Sequence, residues 1–312
     1  METGIIYYSN SQNLGDDIQS YAVSRLVSNP VFIERENLNS VAKPIKAILS
    51  GWFMYHPENF PPSPEIKPLF ISFHGKSTII NKKNYHYFKI HEPIGCRDYH
   101  TLKLFESIGI DAYFSGCATL SLSSPTNKNE KGKEIIVVDM LRANYTKDYR
   151  ETIKKNLIPK DWRNKVSYFS HFIEDLPERS IKDRMELVKS VMERYSKAKL
   201  VITSLIHCAL PCIAMGTPVL FIDFGFKETQ NKRDRFEGII DMMNIYSDIE
   251  APLSKRNFMD TALRILRVHR LLESKVQPIP VSYFEEQISN PPFNTSLVEN
   301  LKTKIKQFES QS

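Results

Sequence analysis

The stretch KLVITSLIHCALPCIAMGTPVLFID, residues 199–223, limits the fold more than any other part of the chain. Leu200, Val201 and Ile202 form a short apolar run ahead of Thr203 and Ser204. Hydroxyl side chains there suit the start of a helix. Cys208, Ala209, Cys212, Ile213 and Met215 continue it as an apolar helix, and Gly216 stops it before the run from Val219 to Ile222. Pro211 is tolerable only near the first turn of that helix. Strand, helix and strand in so few residues make a crossover, the unit of a parallel sheet. Thr203, Ser204 and His207 then fall at a strand's carboxyl end and in a helix's first turn. Open α/β sheets bind ligands there, and helix N-termini favour anions. As plain core structure, the same Ser204 would be only a cap and His207 a locally bonded helical residue.

The rest of the chain continues the alternation. The segments 4–8, 31–33, 47–49, 69–73, 94–98 and 112–114 predict strands, with 119–122 the exit of the last, and those at 135–139 and 166–170 start a second series. Helical spacing covers 18–26, 99–107, 182–197, 235–243, 257–274 and 294–308. Between the two series lies SSPTNKNEKGKE, residues 123–134, polar and rich in turn formers. The expectation is an α/β chain of two domains, 1–125 and 134–312, with a terminal helix that can cross back to the first. A length of 312 residues suits this. No internal repeat is legible, although each half is itself an α/β unit.

A net charge of +6, 41% hydrophobic residues and 25% charged residues describe a soluble globular protein. Such a charge is compatible with anionic substrates or an acidic membrane surface and does not call for nucleic acid. Cys96, Cys117, Cys208 and Cys212 lack zinc-finger spacing and are too few for a disulfide framework. Buried free thiols in a reducing compartment are expected. No signal peptide or apolar run of membrane-spanning length is legible, and the expected location is cytoplasmic.

Several residues point to chemistry. Asn13, Gly15, Asp16 and Asp17 occupy a strand-to-helix turn, where a glycine allows close approach and either aspartate can cap the helix. The turn is not a GxGxxG fingerprint. Trp52, Phe53, Tyr55 and Phe60 lie in a proline-rich segment read as a long loop, suited to stacking on a sugar face or to covering the core. His74 and Lys76 follow another strand end. Arg97 precedes a helix that Asp98 caps. A cation there opposes the helix dipole, so either an anion binds between them or Arg97 pairs with an acid.

Three motifs together resemble the polysaccharide pyruvyl transferase family: NLGDDIQSYA at 13–22, GCRDYHTLKLFESIGIDAYFSGCATLSL at 95–122, and VITSLIHCALPCIAMGTPVLFI at 201–222. They come in the family's order and spacing. The resemblance implies two Rossmann-like domains facing a cleft, as in the glycosyltransferase B architecture. It implies transfer of pyruvate from phosphoenolpyruvate to two sugar hydroxyls, forming a cyclic ketal in surface polysaccharide synthesis. Phosphoenolpyruvate is then a donor substrate, with no cofactor and no metal. The acceptor is a sugar or lipid-linked oligosaccharide, met at the inner face of the membrane. The first domain would take the acceptor and the second the donor. Carried over, Arg97 matches the family's R-D arginine, His207 its S-R-x-H histidine, and Asn13 and Asp16 its first turn.

His207 is the candidate acid and Asp16 or Asp17 the candidate base. Arg97, Ser204, Asn13, Gly15, His74, Lys76 and Arg235 are candidate substrate ligands. The family usually has arginine directly after the serine, where this chain has Leu205. Lys76, Arg142, Arg233 or Arg235 would then supply the missing charge, or the donor differs. A nucleotide-sugar glycosyltransferase and a non-catalytic carbohydrate-binding protein are the competing readings.

Overall fold

The computed structural model describes residues 2–125, 132–140, 155–223, 236–246, 278–286 and 288–311. Six parallel strands make the first sheet: β1 Thr3–Tyr7, β2 Pro30–Glu34, β3 Ile45–Phe53, β4 Ile66–Gly75, β5 Ile94–Cys96 and β6 Ala112–Phe114. Their order is β2-β1-β3-β4-β5-β6. Five parallel strands make the second: β7 Ile135–Val138, β8 Val166–Phe169, β9 Leu200–Thr203, β10 Val219–Ile222 and β11 Asn244–Tyr246. Their order is β11-β10-β9-β7-β8. In each sheet the first strand lies between the second and the third. The order therefore reverses between β1 and β3, and again between β7 and β9. Such reversals open a crevice at the strands' carboxyl ends. The α/β class with two parallel sheets is the one the sequence leads one to expect.

The helices are α1 Leu14–Ser24, α2 Tyr85–Lys89, α3 Tyr99–Ser107, α4 Ile181–Lys197, α5 Ile206–Ala214, α6 Ser282–Glu285 and α7 Thr295–Ser310. Asn13 caps α1 through Gly15 N, Asp98 caps α3 through Thr101 N, and Ser180 caps α4 through Asp183 N. Leu14, Ile18 and Ala22 of α1 share one buried cluster with Val188 and Val191 of α4 and with Cys208, Ala209 and Cys212 of α5. The two sheets are thus joined through helices, by apolar surface that neither buries alone. The last helix, α7, lays Leu301, Ile305 and Phe308 on Ile5, Ile48 and Ile71 of the first sheet.

Some elements differ from expectation. Strand β3 runs on through Trp52 and Phe53, which therefore leave the supposed loop. Residues 118–121, in the exit expected after the strand at 112–114, form a 3-10 turn that packs across α5. From 236 onward the chain forms a 3-10 turn, Ile240–Met242, and then β11 in place of a helix. Pro211 sits well inside α5, whose N-cap is Leu205 rather than a hydroxyl residue. Its ring nitrogen has no hydrogen to donate to the His207 carbonyl one turn earlier. The helix predicted over 257–274 and residues 126–131 of the expected linker lie outside the described residues. Among the described residues, no helix is long and apolar enough to cross a membrane.

Candidate active site

The first turn and the central crossover meet. A Cβ added to Gly15 would lie 3.2 Å from His207 Cβ and 3.3 Å from its Nδ1. A side chain at residue 15 would press on His207, which would have to give by a few tenths of an ångström. The seat is built by main-chain bonds across the seam. Leu14 N donates to His171 O at 2.8 Å, and Ile173 N donates to Gln12 O at 2.8 Å. Asp139 holds that strap, accepting from Ser170 Oγ at 2.8 Å and from His171 N at 2.6 Å. It stands at the end of β7 with φ of 37°, a left-handed conformation that a non-glycine residue adopts at some cost. Sequence reasoning passed over Asp139, although an aspartate ending an apolar strand beside the β7/β9 reversal was a legible signal.

Asp16 and Asp17 separate sharply. Asp16 is half-buried, accepts from Ser11 Oγ at 2.6 Å, and lines a small cavity of about 20 Å³ with Tyr8, Gln19, Arg35, Ser50 and Trp52. Asp17 is 1% exposed and belongs to an ion pair with Arg184 of α4, itself 0% exposed. Arg184 Nε lies 3.1 Å from each Asp17 oxygen, Nη1 donates to Tyr7 Oη and Ser9 O at 2.8 Å, and Nη2 donates to Tyr8 O at 3.1 Å. Burial raises the Asp17 carboxyl more than Arg184 lowers it, leaving it at about 6. The base reading of Asp17 is therefore corrected. Its carboxylate is closed off and serves to bolt α4 to the first turn.

Three further expectations change. Arg97 is 2% exposed, and its Nε donates to Asp98 Oδ2 at 3.3 Å. The acid it pairs with is thus its own neighbour, and that carboxylate answers the clash with the helix dipole. His74 turns inward to the same group, with Nδ1 2.7 Å from Asp98 Oδ2. Burial pushes the Asp98 carboxyl up, but His74, Arg97 and the Thr101 N–H outweigh it and hold it at about 2. Ser204 is also spent internally. Its hydroxyl lies within reach of the Met140 carbonyl and donates to Ile222 O at 2.8 Å, tying together the ends of β7, β9 and β10. Asn13 is exposed beside the seam, and its side chain caps α1. Lys76 is exposed, its Nζ 5.3 Å from the Trp52 ring. Arg235, with Arg142 and Arg233, lies outside the described residues.

The four cysteines are buried and free, as expected. His171 Nε2 and Tyr195 Oη are 2.8 Å apart. Burial pushes the neighbouring Cys208 thiol up, but hydrogen bonds with Cys212, His171 and Tyr195 prevail and bring it to about 6. A larger opening of about 420 Å³ lies at the far end of α5, lined by Ile213, Pro218, Pro291 and Phe293, with no titratable side chain among its lining residues. Among the described residues, no group of three or more His, Cys, Asp or Glu is arranged to hold a metal ion.

The class defined so far is an α/β protein of two doubly wound sheets, with a histidine from one set against the first turn of the other. Residues 72–224, just under half of the chain, match the polysaccharide pyruvyl transferase family model, the family of transferases that the motifs resemble. The match contains Arg97, Asp98 and the whole central crossover. No curated protein matches the chain. Among solved structures, a variant of the wall teichoic acid polymerase TagF is similar at 10% identity, with a TM-score of 0.38 over 100% of this chain and 90% of that one.

Proposed function

We propose that this protein transfers pyruvate from phosphoenolpyruvate to two hydroxyls of a sugar residue in a surface polysaccharide, forming a cyclic ketal. The observation that carries the reading is the contact of His207, inside the family-matched segment, with Gly15, next to Asp16. It supports a site with a proton donor from one sheet and a carboxylate from the other.

The chemistry balances with those two groups. One sugar hydroxyl adds to C2 of phosphoenolpyruvate while C3 takes a proton. The methylene becomes a methyl group and a C2–O bond forms. The second hydroxyl then attacks C2, the C2–phosphate bond breaks, and its proton leaves with inorganic phosphate. His207 is suited to deliver the proton to C3 and Asp16 to receive the hydroxyl protons. Backbone N–H groups at the start of α5 suit the donor's anionic ends. The second sheet is then the donor side and the first the acceptor side, with domains at 1–125 and 134–312. The acceptor is a free or lipid-linked oligosaccharide. The test is phosphate release from phosphoenolpyruvate in the presence of surface-polysaccharide oligosaccharides, with the ketal methyl identified by NMR. Turnover of a nucleotide sugar in its place would move the chain to the glycosyltransferases.

A further inference from the structure

The strap that follows β8 carries an aromatic ring that the fold does not use. Phe172 is 62% exposed, and among the described residues it is the one exposed phenylalanine. A phenylalanine stabilises a fold by burying apolar surface, so this ring contributes little. Its backbone, by contrast, is pinned. Phe172 N donates to Ser170 Oγ at 3.0 Å, and Ser170 is fixed in turn by Asp139. His171 and Ile173, on either side of it, make the two main-chain bonds across the seam, to Leu14 and Gln12. Those bonds flank an antiparallel bridge between Phe172 and Asn13. The bridged residues exchange no bond with each other, and that is the pairing that brings opposite side chains closest, with Cα atoms about 4.5 Å apart. The Phe172 ring and the Asn13 carboxamide therefore stand on the same side of the bridge, both exposed. Asn13 Oδ1 accepts from Gly15 N at 3.0 Å, so what Asn13 offers a ligand is its Nδ2 donor.

We infer that Phe172 and Asn13 form a subsite for one sugar ring, with a C–H face of the ring stacked on Phe172 and a hydroxyl accepting from Asn13 Nδ2. Four features point there. A flat apolar face beside a polar donor matches a ring with C–H faces and hydroxyl edges. An aromatic side chain on a pinned backbone loses little freedom on binding, so even a small contact counts. The bridge joins the segments that leave the carboxyl ends of β1 and β8, and Gly15, two residues beyond Asn13, meets His207. Open α/β sheets take their ligands at such strand ends. Neither side chain carries a charge, so the pair suits a neutral ring and offers nothing to the anionic ends of phosphoenolpyruvate. That the ring is the acceptor of pyruvate rests on the reading above; that a ring binds does not.

The probes are methyl glycosides of glucose, galactose, mannose and their N-acetylamino forms, titrated into the full chain and followed by saturation-transfer difference NMR. Saturation is expected on the C–H protons of one ring face for at least one glycoside. Phe172→Ala should weaken that binding about 3–10-fold, the scale of a single aromatic contact. Its melting temperature should not move, because the ring is exposed. Phe172→Tyr keeps the aromatic face and should retain binding. Asn13→Ser keeps a capping oxygen for α1, removes the amide donor and should weaken the same titration. No saturation with any glycoside, unchanged affinity in Phe172→Ala, or equal losses in Phe172→Tyr and Phe172→Ala would overturn the inference. Binding that depends on Phe172, without phosphoenolpyruvate turnover, would leave the subsite standing and remove the transfer reading. Turnover with an acceptor KM unmoved by Phe172→Ala would do the reverse.

Discussion

At the scale of single residues, the site depends on how closely two backbones approach. His207 seats against the first turn where residue 15 has no Cβ; one added there would crowd it and would also lie 3.1 Å from Asn13 Oδ1. Gly15→Ala favours α1 by about 1 kcal/mol in helix propensity, so the fold should survive. The shift forced on His207 should still lower turnover by about 10–100-fold, measured with melting temperature alongside. A fully active variant would show that the contact is incidental. His207→Gln should retain the fold and lose about 10²–10⁴-fold in turnover if His207 moves the proton. A destabilised but fully active His207→Gln would end that role. Asp16 and Asp17 show why residue roles were only partly legible. Neighbours on a helix point about 100° apart, which assigns one to a pocket and one to the interior. Which is which depends on Arg184, a partner 167 positions away that no local pattern reveals.

At the scale of elements, the strands were legible because buried parallel strands are apolar runs, and their lengths were not, because side chains such as Trp52 suit both strand and loop. The terminal helix was legible by period, whereas its anchor was not. Lys46, the second residue of β3 and 4% exposed, points its ammonium at the end of α7, where Nζ donates to Phe308 O and Glu309 O at 3.2 Å and also reaches Gln311 O. A cation there fills orphan carbonyls and suits the negative end of the helix dipole. Lys199, just ahead of β9, does the same for α6 through the carbonyls of Phe284 and Glu285. These are corresponding third strands of two sheets with one strand order, a likeness that the sequence does not display. Lys46→Met should lower stability by about 2 kcal/mol in urea unfolding, with specific activity per folded molecule unchanged. Equal stability would mean that apolar packing of α7 suffices alone.

At the scale of the whole molecule, the bolt between the halves is itself sensitive to pH. Arg184 of α4 enters the first turn of the other sheet and ends on Asp17, with both side chains closed to solvent. The Asp17 carboxyl stands at about 6 when folded, because burial outweighs the help from Arg184. Unfolded, it returns to about 3.9. Between those values the native state keeps a proton that the unfolded chain has released. Stability from this group is therefore full below about pH 4, falls as pH rises to about 6, and is level beyond, a loss of about 3 kcal/mol. Asp98, held at about 2, acts in the opposite sense and below that window, losing its contribution only as pH falls under about 4. Urea midpoints from pH 4 to 8 should thus show the falling slope in the wild type and not in Asp17→Asn. Arg184→Met should cost about 3–5 kcal/mol near pH 8, where it strands a buried carboxylate, and less near pH 5, where that carboxyl holds its proton. A penalty for Arg184→Met that does not change with pH would mean that Asp17 stays ionised throughout, and that the two halves are joined by a plain ion pair.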